Sequence, residues 1–186
     1  MIFMRMIKRR RREGVTDYKK RFGMLKSDLP RVVVRKSSRS IIMQVVSYAK
    51  DGDTILSNAN SAELKKEGWH PRCNIPTAYL TGALLARKAK AAGLGKREMI
   101  ADIGLYRPIK SSVIFAAIAG CKDNGVKVRA DIGMDKERLS GAMIANYAKM
   151  EGVPERQFSA YKKEGFDPAS IEKLFEEVRK KLSVVD

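Results

Sequence analysis

The sequence is poor in the residues that build disulfide frameworks and metal sites. Its 186 residues include two cysteines, Cys73 and Cys121, and one histidine, His70. The two cysteines lie outside any Cys-x-x-Cys spacing, and together with His70 they offer three ligands at most, so no zinc-binding pattern is matched. We therefore expect no metal and no cofactor. The sparse use of cysteine is typical of proteins in a reducing cytoplasm.

Long apolar runs are also missing. No run approaches the roughly 18 apolar residues that a membrane-spanning helix requires. The opening MIFMRMI is apolar before the positive charges begin, which is the reverse of the order in a signal peptide. We therefore expect no membrane-spanning segment and no membrane as a partner.

What the sequence has in excess is positive charge. It contains 38 Lys+Arg and 21 Asp+Glu, a net charge of +17, and residues 1–39 hold 14 of the basic and 3 of the acidic residues. Lys8 to Arg12 are consecutive cations. Such a block is typical of a segment that does not fold alone and binds a partner of opposite charge, with nucleic acid as the leading candidate. An anionic membrane surface is the weaker alternative, because the block lacks an apolar helical face.

Strand and helix signals predict an α/β fold behind this basic arm. Thr16 and Asp17 are placed to cap a helix that ends near Lys26. Three β-branched runs follow, separated by turn residues, and predict an antiparallel meander. The predicted strands are 31–36, 40–48, 54–59 and 98–103, and the predicted helices are 61–67, 76–93 and 111–124. This β-β-β-α-β-α order predicts a mixed sheet of about four strands covered by helices.

Beyond residue 134 only helices are predicted. The last of them begins with Asp167 as cap and Pro168 in its first turn, and it carries an apolar stripe that must dock on the rest of the fold. The predicted organisation is a basic arm at 1–15, which is disordered or ordered by RNA, an α/β RNA-binding domain at 16–134 and a helical extension at 135–186.

Two loops carry candidate nucleic-acid contacts. Arg35, Lys36, Ser37 and Arg39 cluster at the first predicted hairpin turn, where cationic and short polar groups suit phosphate and ribose contacts. In the loop after the fourth predicted strand, Arg107 and Lys110 precede a predicted helix start. Free backbone amides at Ser111 and Ser112 would favour a phosphate there, although a solvated loop is an equally good interpretation.

Three single residues leave alternatives open. Trp69 lies among cations and either stacks on a nucleobase or covers the edge of the core. In a nuclease, Asp102 could lie beside Asp123 and hold magnesium, but such enzymes normally need several converging carboxylates. A position on the solvated face of an alternating strand is the favoured interpretation of Asp102. His70 has no partner that the sequence identifies, so we expect a surface or packing role.

Several motifs occurring in order resemble one protein family. They are KRRRREGVTDYKKR, RVVVRKSSRSIIMQVV, GW followed by NIPTAYLTG, and DIGLYRP leading to VIFAAIAG. They resemble the large-subunit ribosomal protein family called L eighteen, in its archaeal form, which is related to the eukaryotic ribosomal protein L five. The similarity is collinear from about residue 8 to 128 and weaker from there to the end.

The resemblance implies a structural protein of the large ribosomal subunit, in the cytoplasm, that binds 5S ribosomal RNA in the central protuberance. The implied partners are 5S ribosomal RNA, large-subunit ribosomal RNA and neighbouring ribosomal proteins. Carried onto this chain, the RNA-binding residues are Lys8, Arg9, Arg10, Arg11, Arg12, Tyr18, Lys19, Arg21, Arg35, Lys36, Ser37, Arg39 and Trp69, with Arg107 and Lys110 retained from the loop. Ile109, Ser111 and Val113 depart from the Thr, Gly and Arg that relatives often show there, which weakens the assignment of that loop.

Two other functions stay open at this point. One is a magnesium-dependent RNA-processing enzyme, and the other is a generic nucleic-acid-binding protein. Under the ribosomal hypothesis, the folded body sets the register on RNA and the arm supplies most of the attraction, by releasing counterions from the phosphates.

Overall fold

Five strands form one mixed sheet in the computed structural model of the chain, which describes residues 6–7, 9–131, 133–150 and 155–183. The strands are β1 (Arg31–Lys36), β2 (Ile41–Ser47), β3 (Thr54–Asn60), β4 (Met99–Asp102) and β5 (Val128–Arg129). Their order across the sheet is β3-β2-β1-β4-β5. β1 pairs antiparallel with β2 and parallel with β4, and β2 pairs antiparallel with β3. The predicted meander and mixed sheet are confirmed. β5 was not predicted, because two residues are too few to show an alternating pattern.

Helices make up most of the remaining described structure. The α-helices are α1 (Arg9–Arg12), α2 (Tyr18–Leu25), α3 (Ile75–Ala91), α4 (Val113–Asp123), α5 (Lys136–Ser140), α6 (Ala142–Lys149), α7 (Ser159–Lys163) and α8 (Ile171–Ser183). The side chain of Asp17 accepts hydrogen bonds from two backbone amides of α2, as the sequence predicts for a cap. Residues 61–67 form a 3₁₀-helix that ends at Gly68 in the left-handed conformation.

One face of the sheet, the inner face, is fully apolar and covered. Val32 and Val34 of β1 and Met43 and Val45 of β2 have no exposed surface. They belong to the same hydrophobic cluster as the buried residues of α3 and α4. Alternation along each strand places the neighbouring residues on the opposite, outer face, where polar and charged side chains are found.

α3 and α4 approach each other through two glycines. A Cβ atom on Gly82 of α3 would collide with the backbone carbonyl of Ala117 in α4, and one on Gly120 would collide with the carbonyl of Tyr79. The contact is therefore made between backbones, with no room for a methyl group. Glycine at both positions sets the distance between the helices that cover the inner face.

The C-terminal helices share the core of the sheet domain. Ile171, Phe175, Val178 and Leu182, the apolar stripe of α8, are at most 3% exposed. The ring of Phe175 lies 5.6 Å from that of Tyr79 in α3, measured between centroids. The predicted stripe is thus packed on α3, and Asp167 caps the short 3₁₀ turn that leads into α8.

Candidate nucleic-acid interface

An alternating chain of charges runs across the outer face of the sheet. Asp53 in the turn after β2 pairs with Arg21 of α2 at 2.8 Å and with Arg31 of β1 at 2.6 Å. Arg31 also pairs with Asp102 at the end of β4 at 3.0 Å, and Asp102 pairs with Arg35 at 3.0 Å. We call these five residues the ion-pair chain. It fastens the helix that follows the basic arm to two strands of the sheet, β1 and β4, and to the turn between β2 and β3.

The position of Asp102 corrects the favoured sequence interpretation. Asp102 is 5% exposed and not solvated. It lines a cleft together with residues of α2 and of the segment before it. Its Oδ2 accepts from Arg31, and its Oδ1 accepts from Arg35 and from the backbone amide of Gly104. A buried carboxylate is tolerated because each oxygen has a cationic partner.

The same contacts argue against magnesium chemistry. Both carboxylate oxygens of Asp102 accept hydrogen bonds from arginine, whereas Asp123 accepts one from the hydroxyl of Tyr79 at 2.9 Å, at the end of α4. Among the residues that the structure describes, no group of three or more His, Cys, Asp or Glu side chains could hold a metal ion. The two aspartates therefore have separate, structural partners.

Burial and ion pairing act in opposite directions on Asp53. Partial burial raises the pKa of its carboxyl, but hydrogen bonds from Arg21 and Arg31 and the charges of both arginines outweigh burial. The net effect is a pKa below the ordinary value for an aspartate, so Asp53 is ionised at neutral pH. The ion-pair chain then carries three positive and two negative charges.

Arg35 is held in place at the carboxyl end of β1. Its guanidinium donates to Asp102 Oδ1 at 3.0 Å and to the backbone carbonyls of Asp102 and Val34 at 2.8 Å each. Gly104 packs directly against the guanidinium, since a Cβ there would lie 3.0 Å from Arg35 Cζ. The Arg35 side chain is still 44% exposed. It is a fixed cation with part of its surface open to a ligand.

The first hairpin turn is ordered by Ser37. Its Oγ accepts from the backbone amides of Ser40 at 2.9 Å and Arg39 at 3.3 Å. Ser37 therefore shapes the turn, while Lys36 and Arg39 are exposed.

The hairpin turn and the loop after β4 meet at one edge of the sheet, as the parallel pairing of β1 and β4 requires. The hydroxyl of Tyr106 donates to the carbonyl of Lys36 at 2.7 Å, and Lys36 Nζ lies 5.8 Å from the Tyr106 ring centroid. Arg107 and Lys110 on this loop are exposed. We call the resulting cluster the basic edge; it consists of Arg35, Lys36, Arg39, Arg107 and Lys110.

One of the two backbone amides expected to bind a phosphate in this loop is not free. The amide of Ser111 donates to the carbonyl of Gly133 at 3.2 Å, and Ser112 caps α4 by accepting from the amide of Phe115. The Ser111 amide is therefore already bonded within the protein. The candidate cations of the loop are the exposed side chains alone.

The basic arm lies outside the sheet. Lys8 falls outside the described residues, and Arg9 to Arg12 form the single turn α1. Arg9 pairs with Glu13 at 3.3 Å, and Arg10 donates to Thr16 at 3.0 Å. Arg11 and Arg12 are exposed.

The first turn of α2 continues this basic surface. Lys19 and Lys20 are exposed, and Tyr18 is partly buried. Arg21, by contrast, belongs to the ion-pair chain.

Trp69 packs in the core, so the stacking alternative is wrong for the folded protein. It is 2% exposed, its indole N–H donates to Thr77 Oγ1 at 2.9 Å, and its ring meets Phe175 edge-on at 6.3 Å. No face of the indole is open to a base. His70 has the packing role expected of it, because its ring stacks on Phe166 and bonds to Glu164.

Sequence reasoning missed two exposed aromatic residues beside the arm. Phe22 in α2 is 63% exposed and Tyr48 after β2 is 54% exposed. Phe22 recurs with Tyr18 and Leu25 at spacings of four and three residues, which places the three side chains on one face of the helix. The exposed ring shows that part of this face is uncovered.

No helix in the described part of the chain has the length and apolar character needed to cross a bilayer.

Comparison with known proteins places the chain among ribosomal proteins. The profile of the family described as "Ribosomal large subunit proteins 60S L5, and 50S L18" matches residues 4–98. The large ribosomal subunit protein uL18 of Korarchaeum cryptofilum is 45% identical over 183 residues, which cover 95% of this chain and 93% of the relative. The proteins of the same name from Thermofilum pendens and Desulfurococcus amylolyticus are 44% and 42% identical, each over 94% of this chain and 92% of the relative.

Proposed function

The chain belongs to the family of large-subunit ribosomal proteins described as 60S L5 and 50S L18, and from this premise we propose that it binds 5S ribosomal RNA. We further propose that it helps to attach this RNA to the large ribosomal RNA in the central protuberance. As a member of the family it is a structural component of the large ribosomal subunit and not an enzyme. Its place is in the cytoplasmic ribosome, with ribosomal RNA and ribosomal proteins as partners.

The basic edge is the observation that carries the proposal. Five cations, two from the end of β1 and three from the two loops, lie at one end of β1 and β4, and Arg35 among them is fixed by three hydrogen bonds. A cation that is already ordered loses little side-chain entropy on meeting a phosphate. Ser37 and the backbone of the hairpin turn offer hydroxyl and carbonyl groups beside it for a ribose.

We assign the arm a different role from the edge. Lys8 to Arg12 supply attraction without sequence preference, because neutralised phosphates release their counterions. Lys19, with Tyr18 beside it on α2, extends this surface, and the ion-pair chain through Arg21 holds α2 on the sheet. A four-residue helix is not stable alone in water, so we expect RNA to order the arm.

A competition experiment tests the partner. Filter binding at about 150 mM salt, with 5S ribosomal RNA against transfer RNA matched in length, is expected to show clearly tighter binding to 5S ribosomal RNA. Equal affinities would reduce the chain to a generic RNA binder and contradict the proposal.

A pair of double variants tests the edge. Arg39→Gln with Arg107→Gln removes two exposed cations of the basic edge and is expected to lower both the affinity for 5S ribosomal RNA and the salt dependence, by about one to two units of slope. Lys96→Gln with Arg97→Gln is the matched control, since these two exposed cations precede β4 at the opposite end of the strand. An equal loss in both variants would show that only total charge matters.

A further inference from the structure

We propose that Phe22 and Tyr48 form a binding site for one unpaired nucleobase of RNA. The inference rests on the proposed RNA-binding function and adds a site that neither the sequence motifs nor the basic edge contain. The two rings line one cleft of about 450 Å³ between α2 and the end of β2. A cleft of this size falls within the range of about 300 to 1,000 Å³ for small-ligand sites.

Exposure of the two rings is the first argument. Phe22 is 63% exposed and Tyr48 is 54% exposed. A single exposed apolar side chain needs no explanation, but two aromatic rings facing the same cleft leave adjoining apolar surface in water. An aromatic or other flat apolar group that entered the cleft would remove this surface from water.

Charge identifies the chemistry of that group. Arg10 and Arg21 line the same cleft together with one carboxylate, Asp53, which pairs with Arg21 at 2.8 Å. Lys26 Nζ lies 5.0 Å from the centroid of the Phe22 ring, so cations outnumber anions around the cleft. Residues 1–39 carry 14 basic and 3 acidic side chains, so a ligand here must bring negative charge with its apolar ring. A nucleotide does both, because its base stacks on aromatic rings while its phosphate meets the cations.

The base must be unpaired. In an A-form duplex both faces of a base are covered by stacking, whereas bases in loops and bulges can be splayed out onto aromatic side chains. The cleft therefore selects RNA with an extruded nucleotide near the phosphates that the basic arm contacts. This is the recognition that the buried Trp69 is unable to perform.

The test replaces stacking surface by aliphatic surface in the full-length chain. Phe22→Leu with Tyr48→Leu keeps apolar bulk at two exposed positions, and circular dichroism and a thermal melt check the fold. Removing one base stack is expected to weaken binding to 5S ribosomal RNA by about 5- to 150-fold. Affinity for a perfectly paired RNA duplex of equal length is expected to stay unchanged.

Tyr147→Leu is the matched control, because Tyr147 is also a partly exposed aromatic, at 37%, but lies in α6 beside Phe158. This variant is expected to bind both RNAs like the unmodified chain. Unchanged binding of 5S ribosomal RNA by the double variant would overturn the site. An equal loss on the duplex would also overturn it, since no unpaired base is present there.

A further experiment tests this site independently of the proposal that 5S ribosomal RNA is the partner. Binding is also measured with a single-stranded oligoadenylate and with the same strand paired to oligouridylate. Weaker binding of the single strand alone by Phe22→Leu with Tyr48→Leu supports the nucleobase site, even if the unmodified chain shows no preference for 5S ribosomal RNA. In that case the proposal that 5S ribosomal RNA is the partner would be contradicted, while the nucleobase site would still be supported.

Discussion

Arg35 and Asp102 are joined at two points, at the carboxyl ends of neighbouring parallel strands. Nη2 of Arg35 donates to the carboxylate of Asp102 at 3.0 Å, and Nη1 donates to the backbone carbonyl of Asp102 at 2.8 Å. Arg31, which is 2% exposed, holds the other carboxylate oxygen. An acidic residue thus fixes a cation of the proposed RNA surface while itself staying buried.

Breaking this contact is expected to destabilise the fold. Asp102→Asn leaves the buried guanidinium of Arg31 with Asp53 as its remaining anionic partner, and loss of one member of a buried ion pair costs about 3 kcal/mol or more. Urea unfolding followed by circular dichroism measures the change. Glu98→Gln removes an exposed carboxylate that pairs with Arg129 and is expected to leave the unfolding midpoint unchanged. Similar midpoints for all three proteins would contradict a stabilising role for the buried pair.

A methyl group at the α3–α4 crossing is expected to be destabilising. Gly82→Ala would drive a Cβ into the carbonyl of Ala117, so the helices must separate, at a cost of about 1–3 kcal/mol or more. Gly23→Ala is the control, and its effect on stability is expected to be opposite, because Gly23 is in α2 and no atom lies within 4 Å of an added Cβ. It is expected to stabilise by about 0.4–1 kcal/mol. Thermal melts of both variants check this prediction, and a stabilised Gly82→Ala protein would contradict the close crossing.

Local patterns predict most of the fold. The β-branched runs between turn residues locate β1 to β3, and the Asp17 and Asp167 caps locate their helix starts, because each signal lies within a few residues of the chain. β5 was not predicted, because its two residues are defined as a strand only by their pairing with β4. The close crossing at Gly82 and Gly120 likewise depends on tertiary packing.

The site was predicted less well than the fold, since it depends on which face each side chain takes and what covers that face. Asp102 alternates as a solvated residue would, but it is buried and paired with Arg31 and Arg35, which lie 71 and 67 positions away in the sequence. Trp69 is surrounded by cations in sequence, yet Thr77 and Phe175 enclose it in space. Neither long-range contact leaves a local signal.

Lowering the pH is expected to decrease the free energy of unfolding through protonation of Asp53. Arg21 and Arg31 hold the pKa of Asp53 below its ordinary value of 3.8, so the unfolded chain binds a proton more readily than the folded one. Its contribution to stability is therefore complete above about pH 5 and is lost as the pH falls through the folded pKa. The free energy of unfolding, measured from pH 3 to 7, is expected to fall less steeply toward acid in Asp53→Asn. Asp51→Asn, an exposed carboxylate in the same turn, is the control, and identical slopes for Asp53→Asn and the unmodified chain would contradict the prediction.

The division of labour between arm and body predicts how salt acts on RNA binding. Neutralising the arm by Arg9→Gln, Arg10→Gln, Arg11→Gln and Arg12→Gln removes four cations that lie outside the sheet domain. If each meets a phosphate, the slope of log affinity against log salt is expected to fall by about 3 units, while the preference for 5S ribosomal RNA over transfer RNA persists. The preference persists because phosphate contacts carry no sequence information, whereas the loops of the basic edge remain in place.

A second set of four cations separates the position of charge from its amount. The control variant replaces four exposed lysines of the C-terminal helices by glutamine, and these are Lys149, Lys163, Lys173 and Lys180. It has the same net charge as the arm variant, so long-range attraction to RNA falls equally in both. Only the arm variant is expected to lose about 3 units of slope, because counterion release requires direct neutralisation of phosphates. Equal slopes in the two variants would mean that the arm acts as diffuse charge and does not lie along the RNA.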